Sequence, residues 1–107
     1  MSILNIFKKP NWKNKDNSIR AQAVSHDTSP ELKAQLSSIS QNDESELVRT
    51  AAVRRLNDYE LLAKIAENDA HKTVKMAAYK IIQDWIKNTK DENQLAIIKQ
   101  ISNLKTI

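Results

Sequence analysis

The feature that most constrains this chain is a phrase that it states twice. Asp43-Glu-Ser-Glu-Leu-Val48-Arg49-Thr-Ala51-Ala52 returns as Asp69-Ala-His-Lys-Thr-Val74-Lys75-Met-Ala77-Ala78, every position displaced by 26. Repetition at a period of a few tens of residues marks units that bury their apolar faces only by stacking on their neighbours. A fainter copy comes earlier: Ile19, Arg20, Ala23 and Val24 match Val48, Arg49, Ala52 and Val53 at an offset of 29. Farther on, Ile39 and Asn42 match Ile65 and Asn68 at 26 again. The three extra residues are therefore expected in the turn 25–30.

The spacing of apolar residues within each copy is helical. Leu32, Leu36 and Ile39 form one stripe over 30–41, introduced by Ser29 as N-cap, Pro30 as first helical residue and Glu31 facing the macrodipole. Residues 44–56 turn Leu47, Val48, Ala51, Ala52 and Leu56 inward and leave Arg49, Arg54 and Arg55 outside. Residues 59–67 bury Leu61, Leu62, Ile65 and Ala66. A longer helix reaching Asn88 carries Val74, Ala77, Ala78, Ile81, Ile82 and Trp85, and 92–104 offers Leu95, Ile98, Ile101 and Leu104. No segment alternates as a strand does. The expectation is an all-α fold: a right-handed α-solenoid of about three stacked antiparallel helix pairs, in units 16–42, 43–68 and 69–107. The paired alanines would let helix backbones approach closely.

The 107 residues include no glycine and no cysteine. That excludes a disulfide framework, a thiolate metal site, a glycine-rich phosphate loop and a nucleophile elbow. Left-handed positions at helix ends would fall to Asn42, Asn57, Asn68 and Asn88. The net charge of +4 is concentrated in residues 1–20, where Lys8, Lys9, Lys13, Lys15 and Arg20 face only Asp16. No apolar run is long enough to span a bilayer. The order of charge and hydrophobicity at Met1–Pro10 is wrong for a signal peptide, so a cytoplasmic location is expected.

Residues 1–15 form a separate arm. Ile3 and Phe7 lie one helical turn apart, Pro10 ends that turn, and Trp12 sits among Lys8, Lys9, Lys13 and Lys15. Two readings stand side by side: an apolar lid over the first repeat, or a tether to a membrane surface or nucleic acid. Trp12 lies outside the periodic frame and is a candidate hot spot.

With Asp, then Val-Arg or Val-Lys, then Ala-Ala, then a leucine-rich partner helix, the chain resembles the HEAT-like helical repeat superfamily in a short bacterial form. It is also similar to the repeat stretch of uncharacterised bacterial proteins of the domain-of-unknown-function type. The resemblance implies a ladder of acidic and basic residues linking adjacent repeats. The positions that match are Asp43 with Arg49 and Asp69 with Lys75, and more loosely Asp16 with Arg20. It also implies that the second helix of each unit lines a concave surface for a protein partner, exposing Lys33, Gln35, Glu60, Lys64, Gln94 and Lys99.

Chemistry is sparse. His26 and His71 fall in different units, and carboxylates such as Glu44, Glu46, Asp91 and Glu92 sit in first turns where they complement helix dipoles. Neither set reads as a catalytic or metal site, and no cofactor is implied. Arg49, Arg54, Arg55, Lys75 and Lys80 recur at repeat spacing and would align as a basic stripe, but residues 21–107 are electrically neutral, which disfavours nucleic acid. The functional expectation is a non-catalytic scaffold or adaptor for protein–protein interaction. The alternative is a module acting on nucleic acid or membrane through its basic arm.

Overall fold

The computed structural model describes residues 9–94 and 96, and among them every regular element is helical. A 3₁₀ turn at Asn11–Lys13 leads into α1 (Asn17–His26), α2 (Pro30–Asn42), α3 (Glu46–Val53), α4 (Tyr59–Asn68) and α5 (Lys72–Asn88). A new helical stretch begins at Glu92, where the Asp91 carboxylate accepts from the N–H groups of Asn93 and Gln94. Most of the helix expected there lies outside the described residues, including Leu95, Ile98, Ile101 and Leu104.

Each helix starts on a side-chain acceptor for its free N–H groups. Asp16, Ser29, Ser45, Asp58 and His71 fill that role in turn. The Ser29–Pro30–Glu31 start of α2 is as expected. The left-handed helix ends are not: no described residue has positive φ. Instead Asp43 (φ −63°, ψ 140°), Asp69 (φ −61°, ψ 142°) and Thr89 (φ −79°, ψ 130°) pass directly into extended backbone. Asp43 and Asp69 then close an Asx turn onto the N–H two residues on, at 2.9 Å to Ser45 and 2.8 Å to His71. Since one aspartate ends one helix and turns the chain onto the N-cap of the next, no left-handed residue is needed.

The three extra residues are also elsewhere than expected. The link between α1 and α2 is short, whereas α2 has 13 residues and α4 has 10. The surplus is an added first turn of α2, because Pro30 starts the helix as soon as Ser29 can cap it.

Helix α3 is the hub. It packs against α1 on one side, α5 on another, and α2; α4 packs on α5. Pairs thus pack across the Asp43 and Asp69 breaks and between α1 and α3, while α1 with α2 and α3 with α4 approach less closely. The small side chains of α3 permit this, with Ala51 and Ala52 buried beside Val48 and Val53. One core joins Val24, Leu32 and Leu36 to Val48, Ala51 and Ala52; a second joins Val53 to Leu62, Ile65, Val74, Ala78 and Ile82. Leu56 touches both. Leu47, expected inward, is 54% exposed. It lies one position before the buried Val48, which turns it off the stripe facing α1 and α2.

Candidate functional site

Two ion pairs fix the row α1–α3–α5. The Arg20 guanidinium meets Asp43 through two parallel hydrogen bonds, Nε to Oδ2 at 2.9 Å and Nη2 to Oδ1 at 2.8 Å. Arg49 meets Asp69 in the same way, at 3.0 and 3.3 Å. Each arginine is steadied from behind: Arg20 donates to the carbonyl of Asn14 at 2.8 Å, and Arg49 to that of Asp43 at 2.7 Å. Planar forks matched to carboxylates give direction as well as charge. Burial opposes ionisation of Asp43, but hydrogen bonds from Arg20 and the Ser45 N–H, with the charges of Arg20 and Arg49, outweigh it and hold the carboxyl below its ordinary range. The hydrogen bond to Asp43 is the main cause that raises Arg20, against the opposing effect of burial.

The pairing runs one step out of phase with the sequence pattern. Asp43 takes its base from the preceding copy, Arg20, and Arg49 takes its acid from the following one, Asp69. The geometric reason is that each aspartate sits at a break beyond the end of the earlier helix, where a long side chain from that row can reach it. Lys75, the third base, has no ion pair among the described residues, and neither does Asp16, the first acid. Asp16 caps α1 through the N–H groups of Ser18 and Ile19.

A further tie was not legible in the sequence. Arg55 reaches back to the C-terminal end of α1 and donates to the carbonyls of Val24 at 2.8 Å and Asp27 at 2.6 Å. A cation there complements the helix dipole. With Arg49 and Arg55 so engaged and Lys80 near Asp84 at 3.6 Å, only part of the expected basic stripe faces outward.

The α2 and α4 surface residues Lys33, Gln35, Glu60 and Lys64, and Gln94 beyond them, are all exposed, whereas Lys99 lies outside the described residues. Lys64 borders a small polar cleft of about 350 Å³ with Gln41, Asn42 and Asn68. Trp12 is half-buried against the first core, with the Lys13 ammonium 5.1 Å from its ring centroid. Lys9, Lys13 and Lys15 are exposed; Ile3, Phe7 and Lys8 lie outside the described residues.

An apolar groove of about 890 Å³ runs along α5 beside the end of α3. Met76, Ala77, Tyr79 and Ile81 line it, with Arg54 and Lys80 at its rim. Met76 is 55% exposed although the matching Thr50 on α3 is only 6% exposed. A second groove of about 440 Å³ between α1 and α3 brings His26 and His71 together with Glu46 and Thr50. Sequence reasoning placed those histidines in separate units. The His71 Nδ1 is occupied in capping α5, accepting from the Thr73 N–H at 3.2 Å. Among the described residues no three His, Cys, Asp or Glu side chains converge as metal ligands, and no helix is long and apolar enough to cross a membrane.

Comparison with protein-family models, curated proteins and solved structures finds no match to this chain.

Proposed function

We propose that the chain is a non-catalytic helical scaffold that docks a protein helix in the apolar groove beside α5 and the end of α3. The supporting observation is the asymmetry of one repeated position: Thr50 is covered between neighbouring helices, and Met76 stands open in an apolar groove. The lining runs from Lys72 to Asp84, more than three turns along α5, with Arg54 of α3 beside it, and an elongated groove of that kind suits a helix. A partner with a stripe of small and branched apolar side chains would fit Met76, Ala77 and Tyr79. The lining carries more bases than acids, with Arg54, Lys72 and Lys80 against Asp84. Such a lining suits a partner helix whose apolar stripe is flanked by acidic side chains.

In this reading the helices are stacked HEAT-like pairs of a right-handed α-solenoid. Support comes from the repeated Arg–Asp tie and from equal burial of Val48 with Val74 and of Ala52 with Ala78. Docking is rigid, because helices already fixed by packing lose little further freedom on binding. Photo-crosslinking from position 76 in cell extract, compared with position 35 on the opposite face, tests it. Specific adducts from 76 that vanish in the neighbouring variant Tyr79→Glu are expected. Equal adducts from both positions, or none from 76, overturn the docking site.

A further inference from the structure

The unbalanced charge of the chain is gathered in one place. Residues 1–20 hold five bases against one acid, whereas 21–107 hold 12 of each. Of those five bases, Arg20 is engaged by Asp43 through its paired hydrogen bonds. The lysines are not engaged in this way. Lys9, Lys13 and Lys15 are exposed and make no ion pair among the described residues. Asp16, the neighbouring acid, turns its carboxylate to the N–H groups of Ser18 and Ile19, and its charge acts on Arg20.

The stretch that bears these lysines is fastened to the body. The Lys13 N–H donates to the Pro10 carbonyl and the Asn14 N–H to that of Asn11, both at 2.9 Å, which closes the 3₁₀ turn. Trp12 packs against the first core. Behind the turn, Arg20 donates to the carbonyls of Asn14 at 2.8 Å and Lys15 at 3.3 Å. The guanidinium that holds Asp43 therefore also pins the arm to α1. Lysines set on a fixed turn present their charges to one partner together. In the sequence ahead of them come Ile3, Leu4, Ile6 and Phe7, four apolar residues followed by Lys8.

We infer that residues 1–15 bind an anionic membrane surface. Ile3, Leu4, Ile6 and Phe7 enter the boundary between headgroups and acyl chains, and Lys8, Lys9, Lys13 and Lys15 meet the anionic headgroups. A short apolar anchor binds only marginally by itself, and stable attachment takes a second signal such as a polybasic patch. This arm carries both. A nucleic acid would use the lysines but has no place for four bulky apolar side chains beside them, and the neutral body offers it no further attraction. Because Trp12 and Arg20 hold the turn on α1, attachment also orients the chain: α1 lies toward the bilayer, and α5, packed on α3 and α4, stands farther off. The inference is independent of the docking groove.

Co-sedimentation of the whole chain with lipid vesicles tests it. Binding is expected to phosphatidylcholine vesicles containing about 30% phosphatidylserine and not to phosphatidylcholine alone. It should weaken as salt rises from about 50 to about 500 mM. Lys9→Gln, Lys13→Gln and Lys15→Gln should each weaken it roughly fivefold, and Phe7→Asp at least as much. Lys87→Gln and Lys90→Gln, at exposed lysines far from the arm in sequence, should leave it unchanged. Circular dichroism of each variant checks that its helices remain. Equal binding to both kinds of vesicle, binding to neither, or equal losses from the Lys87 and Lys90 variants overturns the inference. If a DNA duplex binds with the same dependence on the arm lysines while vesicle binding ignores Phe7→Asp, the arm is a nucleic-acid contact and the membrane reading falls. Crosslinking from position 76 should be indifferent to all the arm substitutions, so failure here leaves the docking groove standing.

Discussion

Helices α3 and α5 carry the same motif in two situations. On their inward faces they are alike, with Val48, Ala52, Val74 and Ala78 fully buried. Elsewhere they diverge: Thr50 and Val53 of α3 are covered, whereas Met76 of α5 is open and Tyr79 only partly covered. Their bases diverge too, Arg49 held by Asp69 and Lys75 unpaired among the described residues. The lesson is that a repeated motif specifies the face it turns to the preceding unit. Burial of the opposite face is decided by whether another helix extends the row.

The sharpest way to break that comparison is to remove the bases. Arg20→Met and Arg49→Met should each destabilise by about 3 kcal/mol, because an aspartate only slightly exposed to water is left without its partner. Lys75→Met should stay within about 0.5 kcal/mol, as surface changes do. Denaturant titrations measure both, and a loss at Lys75 equal to that at Arg49 would mean the two helices are not in different situations. Next in size are the alanines. Ala52→Leu and Ala78→Leu should cost roughly 1–3 kcal/mol by overpacking, and Ala23→Leu, on the open flank of α1, much less. Equal costs at all three would show that the α1 flank is as tightly covered as the interior.

The smallest expected effect concerns acid. Asp43 ionises more readily folded than free, so its contribution to stability is complete above the ordinary carboxylate value of 3.8 and fades as pH falls through the lower folded value. Thermal melts taken between about pH 5 and 2 should lose part of their slope in Asp43→Asn. An unchanged slope would assign the acid sensitivity to other carboxylates.

Much of the fold could be read from the residues because period and caps act locally. The offset of 26 identified Val48 with Val74 and Ala52 with Ala78, and Ser29-Pro30-Glu31 marked the start of α2. What the sequence hid was set by distance in space. No spacing rule says that Arg20 reaches Asp43, because the reach depends on how far one helix end overhangs the next. The exposure of Ile19, a residue as apolar as Val48, reflects the lack of any described helix beside it. The groove at Met76 was invisible because its walls come from α5 and from Arg54 at the end of α3. Arg55 resembled a solvated loop cation until the end of α1 came within its reach.

One atom at each break has a dynamic consequence. Oδ1 of Asp43 accepts both the N–H of Ser45 and the Nη2 of Arg20, and Oδ1 of Asp69 accepts both the N–H of His71 and the Nη2 of Arg49. The first turns of α3 and α5 therefore cannot fray without loosening the helix behind them, and local opening there must travel as a shared event. At Asp16 the carboxylate caps only its own turn, through Ser18 and Ile19, and the tie from α1 to the next break comes later, at Arg20. Amide exchange at Ser18 should accordingly be quick, and at Ser45 and His71 slow and in step.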